Sequence, residues 1–220
     1  MKTARQLIHP GIPVVNRQDD SLLVLNLMDE HKLAHLPVVE NGKYLGLISD
    51  EELMESEHGH GHVATAAQLL EVSVLPDKHV LDILKVAGEN KLSVIVVADH
   101  EANYLGSILL SDLVGYLSDY QSASQPGGII VLEMKPGDYH LSQIARIVEE
   151  NDAKILSMQV APSGDDGNIE LHLKISKEDV NAILQSLGRF GYTVKASYQE
   201  PLYTEDLKNR YDELMKYLNI

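Results

Sequence analysis

Short apolar runs separated by turn residues predict most of the strands in the first 120 residues. The run at residues 36–39 is followed by Asn41-Gly42, where both positions tolerate a positive φ, so this stretch predicts a hairpin. Residues 44–48 supply the returning strand, and residues 50–57 predict a helix. Another helix precedes the hairpin. Asp20 or Ser21 can cap it, and its apolar positions include Leu22, Leu25 and Met28.

The same pattern occurs a second time. Thr3-Ala4-Arg5-Gln6-Leu7-Ile8 matches Thr65-Ala66-Ala67-Gln68-Leu69-Leu70, and Tyr44-Leu45-Gly46 matches Tyr104-Leu105-Gly106. The spacing runs from 59 residues, between Lys32 and Lys91, to 62 residues, between Thr3 and Thr65. Matches in one order indicate a duplicated unit of about sixty residues. Each copy predicts helix, strand, helix, strand, strand, helix, and the last four elements of the second copy fall near residues 80–89, 94–98, 104–109 and 111–120.

The last hundred residues carry a different pattern. An apolar strand at residues 129–134 precedes an amphipathic helix at 139–151, whose apolar residues recur every three or four positions. Apolar and polar residues then alternate at 154–161 and 169–175, which predicts two half-buried strands. Ser176 can cap a helix that runs through residue 190, and a fourth strand covers residues 192–197. The order βαββαβ is the ferredoxin-like arrangement, so the chain belongs to the α/β (α+β) class.

These patterns divide the chain into four segments. The main boundary is the polar stretch Gln121-Ser122-Ala123-Ser124-Gln125-Pro126-Gly127-Gly128. A last helix is predicted at residues 203–219, where Leu207, Tyr211, Leu214 and Leu218 are spaced to pack on their own domain or on a second copy. The predicted segments are residues 1–57, 64–120, 128–198 and 203–219.

Charge and composition narrow the possible functions. The chain has 33 acidic and 18 basic residues, a net charge of −15, and no basic patch for DNA, RNA or anionic membranes. It has no cysteine, which excludes disulfide scaffolds, thiolate metal sites and cysteine nucleophiles. There is no long apolar segment, so we expect a cytoplasmic protein without a membrane span.

The duplicated part resembles a pair of CBS domains, the tandem unit called a Bateman module. His35-Leu36-Pro37-Val38-Val39 and Tyr44-Leu45-Gly46-Leu47-Ile48-Ser49 carry this resemblance, together with the acidic helix that follows. Residues 128–198 resemble an ACT-like domain. The whole layout, including Asn151-Asp152-Ala153-Lys154-Ile155-Leu156-Ser157, is similar to that of acetoin-utilisation accessory proteins.

The resemblance implies a non-enzymatic regulator that binds a small metabolite, often an adenine nucleotide (AMP, ADP or ATP), between the CBS units. Nucleotide sites of that family use a glycine, two apolar residues, a threonine and, three residues on, an aspartate. The first copy has Ser49 in place of the threonine and Glu52 in place of the aspartate, whereas the second copy has Leu109 and retains Asp112. The resemblance adds His35, Pro37 and Val96 as candidate ligand contacts.

Each of these candidates also has a purely structural interpretation. Ser49 and Glu52 have the spacing of an N-terminal capping box. Asp112 can complement a helix dipole, and His35 can serve in packing or bond to the backbone. The incomplete motifs therefore leave open a second hypothesis, an interaction scaffold that has lost ligand binding.

His58, His60 and His62 suggest a third hypothesis, a metal site. In an extended segment their side chains fall on one face, although a solvated linker explains the same residues. In the ACT-like part, Tyr139 occupies the place of the ligand-binding glycine of that family, which favours pairing with a second copy over amino-acid binding. No P-loop, Gly-x-Ser-x-Gly or HExxH motif occurs, so an enzyme has no support. We expect a homodimer.

Overall fold

The structure is a computed structural model, and it describes residues 2–55, 62–63, 68–164 and 167–199. The chain divides into two compact units, Met1–Leu117 and Ser118–Ile220. The first unit contains both repeats except the end of their last helix, which runs to Tyr120, and the second contains the ferredoxin-like part. The predicted fold class is confirmed, whereas the predicted helix at residues 203–219 lies outside the described residues.

Each repeat is a two-stranded antiparallel hairpin between two helices. In the first repeat these elements are α1 (Ser21–His31), β1 (His35–Glu40), β2 (Lys43–Ser49) and α2 (Asp50–Glu55). In the second repeat they are α3 (Val80–Glu89), β3 (Val94–Ala98), β4 (Tyr104–Leu109) and α4 (Leu110–Tyr120).

Local sequence accounts for most of these boundaries. The Asp20 carboxylate accepts hydrogen bonds from the backbone N–H groups of Leu22 and Leu23, so Asp20, and not Ser21, caps α1. Asn41 and Gly42 both have positive φ, 49° and 79°, as the tight turn between β1 and β2 requires. In α1 the buried apolar residues are Val24 and Met28, whereas Leu22 is 45% exposed.

The start of each repeat is less regular than predicted. The predicted first helix is a single 3₁₀ turn at Ala4–Leu7. The predicted first strand is reduced to isolated bridges, which join Val15 to Val38 in the first repeat and Val74 to Val97 in the second. Residues 64–67, where the second repeat would begin, lie outside the described part of the chain.

The segment that precedes the first α-helix of each repeat pairs with the hairpin of the other repeat, so the two repeats exchange these leading segments. His9 of the first repeat forms a bridge with Ser107 on β4, and Leu70 of the second repeat forms the equivalent bridge with Leu47 on β2. The two hairpins also meet directly, because Tyr44 N–H donates to the Ala102 carbonyl and Tyr104 N–H donates to the Gly42 carbonyl. The first unit therefore has an approximate internal twofold symmetry.

Both repeats contribute to the buried interior of this unit. One apolar cluster is built mainly from the second repeat, and it includes Ala4, Leu7, Tyr44 and Leu47 from the first. The other cluster lies within the first repeat, around Val24, Met28 and Leu36, and also takes in Val63. Leu69 of the second repeat packs against this cluster. Each repeat therefore needs residues of the other to bury its apolar surface.

The second unit is a four-stranded antiparallel sheet with two helices. Its elements are β5 (Ile129–Met134), α5 (Leu141–Glu149), β6 (Ile155–Ser163), β7 (Asn168–Ile175), α6 (Asn181–Arg189) and β8 (Thr193–Tyr198). The strand order β6-β7-β5-β8 is the ferredoxin-like order. Ile130, Leu132, Leu171 and Leu173 face the helices and form the buried core with Ile144, Ile147 and Leu187.

The predicted cap at Ser176 is wrong. Helix α6 begins at Asn181, five residues later. The Ser176 hydroxyl instead accepts the backbone N–H of Lys154 at 2.9 Å, and Ser176 N–H donates to the Lys154 carbonyl. These two bonds hold the end of β7 beside the start of β6, so the serine serves the loop and not the helix.

Candidate functional site

Three of the predicted site residues line one cavity in the first unit. The cavity has a volume of about 340 Å³, and its lining is His35, Leu47, Ser49, Glu52, Gln68, Leu69 and Leu70. Strand β2 and the start of α2 form one wall, and the exchanged residues 68–70 of the second repeat form the other. Small-molecule sites commonly have volumes of about 300–1,000 Å³, so this cavity is large enough for a metabolite.

Two glycines allow the exchanged segments to approach the hairpins this closely. Gly46 has a φ of 149°, and a Cβ added there would lie 2.7 Å from the Leu69 Cβ. Gly106 has a φ of 143°, and a Cβ there would lie 2.5 Å from the Ile8 Cγ2. Both the backbone conformation and the close contact require glycine. These contacts explain why both copies have glycine at this position.

Ser49 caps helix α2. Its hydroxyl oxygen accepts the backbone N–H of Glu52 at 3.1 Å. Asp50, Glu51 and Glu52 all lie in the first turn of this helix. Three carboxylates beside the cavity disfavour an anionic ligand, and neither lysine nor arginine is among the lining residues.

His35 connects the cavity to the second repeat. Its Nδ1 lies 3.1 Å from the Ser93 hydroxyl oxygen and accepts the Ser93 backbone N–H at 3.4 Å. The ring is half-buried, and this burial lowers the pKa of His35, while the charges of Asp50 and Glu51 act in the opposite direction. Burial dominates, which favours the neutral imidazole.

The remaining candidates do not line this cavity. Pro37 and Val96 are buried inside β1 and β3. Leu109 and Asp112 occupy the positions of the second repeat that correspond to Ser49 and Glu52 in the first. The Asp112 carboxylate is about half exposed and lies 4.0 Å from Nε2 of His9, which the exchanged leading segment carries to this place.

Sequence analysis missed the contributions of residues 68–70, His9 and Ser93. The match between residues 3–8 and 65–70 was the available signal, since it marked both leading segments as equivalent. It did not reveal that each segment lies on the other repeat.

In the predicted metal site, His58 and His60 lie outside the described residues. His62 is exposed and forms a bridge with Asp20. Among the described residues, no three histidine, aspartate or glutamate side chains are grouped to hold a metal ion. No helix in the described part of the chain is long and apolar enough to span a membrane.

In the second unit, Tyr139 is half-buried against the core, and its hydroxyl donates to the Met158 sulfur at 3.5 Å. The side chain therefore packs inside the unit. A second cavity, of about 330 Å³, lies nearby between Met134, His140, Gln143 and Tyr192.

Comparison with known proteins gives one family match and several structural likenesses. The family model of the CBS domain matches residues 4–59. A CBS domain pair/ACT domain protein from Thermotoga maritima is 18% identical, with a TM-score of 0.48 over 54% of this chain and 98% of that one. The CBS-pair protein CBSX2 from Arabidopsis thaliana is 18% identical, with a TM-score of 0.49 over 55% of this chain and 97% of that one. A structure of CBSX2 in complex with AMP is 17% identical, with a TM-score of 0.48 over 55% of this chain and 99% of that one.

Proposed function

We propose that this protein is a non-enzymatic regulator that binds a small metabolite, an adenine nucleoside or nucleotide, in the cavity between the exchanged repeats. The observation that carries the proposal is the composition of the cavity: β2 and α2 of the first repeat face residues 68–70 of the second. A ligand there touches both repeats, so its binding stabilises one arrangement of the pair. The match of residues 4–59 to the CBS domain supports the same function.

The charges around the cavity favour adenosine or AMP over ATP. The Glu52 side chain belongs to the lining and offers a carboxylate that can accept both hydroxyls of a ribose. The adjoining Asp50 and Glu51 would repel a triphosphate. Ser49 is already engaged as a helix cap, so its hydroxyl contributes at the rim of the site and not as a principal phosphate ligand.

The second repeat offers an equivalent half-site. In this proposal Asp112 accepts a ribose there, beside His9 of the exchanged leading segment, whose Nε2 lies 4.0 Å from the carboxylate. Leu109 leaves this half-site without the hydroxyl that Ser49 provides in the first repeat. We infer that the second half-site is the weaker of the two, and that the ferredoxin-like unit joins two copies or transmits the bound state in a cytoplasmic homodimer.

Isothermal titration calorimetry with adenosine, AMP and ATP tests this proposal. We expect Glu52→Ala to weaken adenosine binding by roughly ten- to hundredfold, because a hydrogen bond to a charged group contributes about 1.5–3 kcal/mol. Glu51→Ala is the matched control, since Glu51 lies in the same turn and does not line the cavity. Asp112→Ala examines the second half-site in the same way.

Equal affinities in the wild type and Glu52→Ala would assign Glu52 to the helix alone. Binding of none of the three compounds would favour the scaffold hypothesis. The engagement of Ser49 as a cap supports that alternative, because it accounts for the serine without any ligand.

A further inference from the structure

A short hydrogen-bonded chain joins the two repeats beside the cavity. Ala34 N–H donates to the Ser93 hydroxyl oxygen at 3.1 Å, and Ser93 is itself within hydrogen-bond distance of His35 Nδ1 through both its hydroxyl and its backbone N–H. The backbone carbonyl of Ser93 accepts the Leu110 N–H at the start of α4, just as the Ala34 carbonyl accepts the Asp50 N–H at the start of α2. These bonds lie at the meeting point of β1 and β3.

The two contacts of Ser93 indicate which nitrogen of His35 carries the hydrogen. The Ser93 backbone N–H can only donate, and it is directed at Nδ1. A hydrogen on Nδ1 would oppose that donor, so this contact favours Nδ1 as the acceptor. The Ser93 hydroxyl, which already accepts from Ala34, then donates its own hydrogen to Nδ1. A neutral imidazole with an acceptor at Nδ1 carries its hydrogen at Nε2.

We propose that Ser93 of the second repeat presets His35 as a neutral imidazole whose Nε2–H is the hydrogen-bond donor of the first-repeat cavity. With the Glu52 carboxylate accepting the ribose hydroxyls in the same lining, this Nε2–H suits an uncharged ligand that also presents an acceptor atom, as the ring nitrogens of an adenine base do. The ligand class rests on the proposed function, whereas the role of Ser93 does not.

In the part of the chain that the structure describes, the second repeat has no counterpart of the hydrogen bond between Ser93 and His35. By the internal symmetry, Ala34 corresponds to Ser93 and Val94 corresponds to His35. Ala34 has no hydroxyl and Val94 has no polar atom in its side chain, so only the first-repeat cavity receives a donor of this kind in the described residues. The duplicated units therefore carry two chemically different half-sites.

NMR spectroscopy of the full-length protein tests the role of Ser93 without any ligand. Long-range ¹H–¹⁵N spectra report which imidazole nitrogen is protonated, and a pH titration of the same signals gives the pKa of His35. In the wild type we expect the Nε2–H form and a pKa below the ordinary value for histidine. The groups that face His35 are Ser93 across the repeat boundary and the carboxylates of Asp50 and Glu51.

Ser93→Ala removes the hydroxyl and leaves the backbone donor. We expect the His35 pKa to rise by roughly 0.5–1, because loss of one hydrogen bond to the neutral form makes protonation easier. Ser93→Thr is the matched control, since it retains the hydroxyl, and should leave the pKa and the tautomer as in the wild type. If Ser93 only stabilised the fold, Ser93→Ala would alter the melting temperature without moving the His35 signals.

An Nδ1–H tautomer in the wild type would overturn the inference, and so would a His35 pKa that is equal in the wild type and Ser93→Ala. Failure of adenosine, AMP and ATP to bind would count against the proposed function and would leave these NMR results unchanged. The two proposals can thus fail separately.

Discussion

At the residue scale, glycine at positions 46 and 106 is required by the exchange of segments between the repeats. We expect Gly46→Ala to destabilise the protein by roughly 1–3 kcal/mol, because the new Cβ would meet Leu69 at 2.7 Å and the backbone conformation is unfavourable for alanine. Chemical denaturation of the two proteins measures the difference in the free energy of unfolding.

Gly88→Ala is the control for this experiment. Gly88 lies in α3 with a negative φ, and no atom stands within 4 Å of the position of an added Cβ. The same substitution there should stabilise the protein by about 0.5–1 kcal/mol, because alanine is the better helix former. Equal effects at the two positions would show that Leu69 does not pack against Gly46.

At the element scale, a polar network joins all four strands of the second unit on one face of the sheet. Lys195 Nζ on β8 donates to Glu133 on β5 at 3.0 Å and to Glu170 on β7 at 2.7 Å. The Ser163 hydroxyl on β6 lies within hydrogen-bond distance of both glutamates, and the residue is 5% exposed. Hydrogen bonds from Ser163 and Lys195 lower the pKa of both Glu133 and Glu170.

This network predicts a pH-dependent contribution to stability. A carboxyl group whose pKa is lowered by folding stabilises the protein above its ordinary pKa, and the contribution disappears as the pH falls through the lowered value. Lys195→Met should therefore lower the denaturation midpoint at pH 7, and the difference from the wild type should shrink toward about pH 3. Lys135→Met removes an exposed lysine that has no described ion pair, so it is the control. A difference that is independent of pH would mean that lost packing, and not charge, accounts for the effect.

At the scale of the whole molecule, exposed apolar residues on the repeat helices support the expected homodimer. Leu22 on α1 and Leu81 on α3 occupy equivalent positions and are 45% and 55% exposed, and Met54 on α2 and Val114 on α4 are 60% and 56% exposed. Apolar residues at equivalent positions of both repeats are well placed to meet a second copy related by twofold symmetry.

Sedimentation velocity over a range of concentrations measures the oligomeric state. We expect a dimer that Leu22→Glu with Leu81→Glu dissociates, because two buried charges would replace apolar contacts. Val160→Glu, on the edge strand β6, tests whether the sheet of the second unit forms the contact instead. A mass that stays monomeric at every concentration would contradict the homodimer.

The sequence by itself determined the features that depend on near neighbours. Strands β3, β4 and β5 begin and end where apolar periodicity predicts, and the β1–β2 hairpin forms because Asn41 and Gly42 accept positive φ at little cost. The family resemblance also named His35, Ser49 and Glu52 as candidates, and all three line one cavity. That they bind a ligand stays a prediction. The resemblance to acetoin-utilisation accessory proteins stays a prediction.

Only the tertiary structure decided the features that depend on residues far apart in the chain. Residues 68–70 line the first-repeat cavity because Leu70 pairs with Leu47 on β2. Ser93 meets His35 across 58 positions of the sequence, and Ser176 bonds to Lys154 where local spacing predicted a helix cap. Periodicity and turn chemistry report on contacts within a few residues, whereas these contacts exist only after the strands and the exchanged segments have packed together.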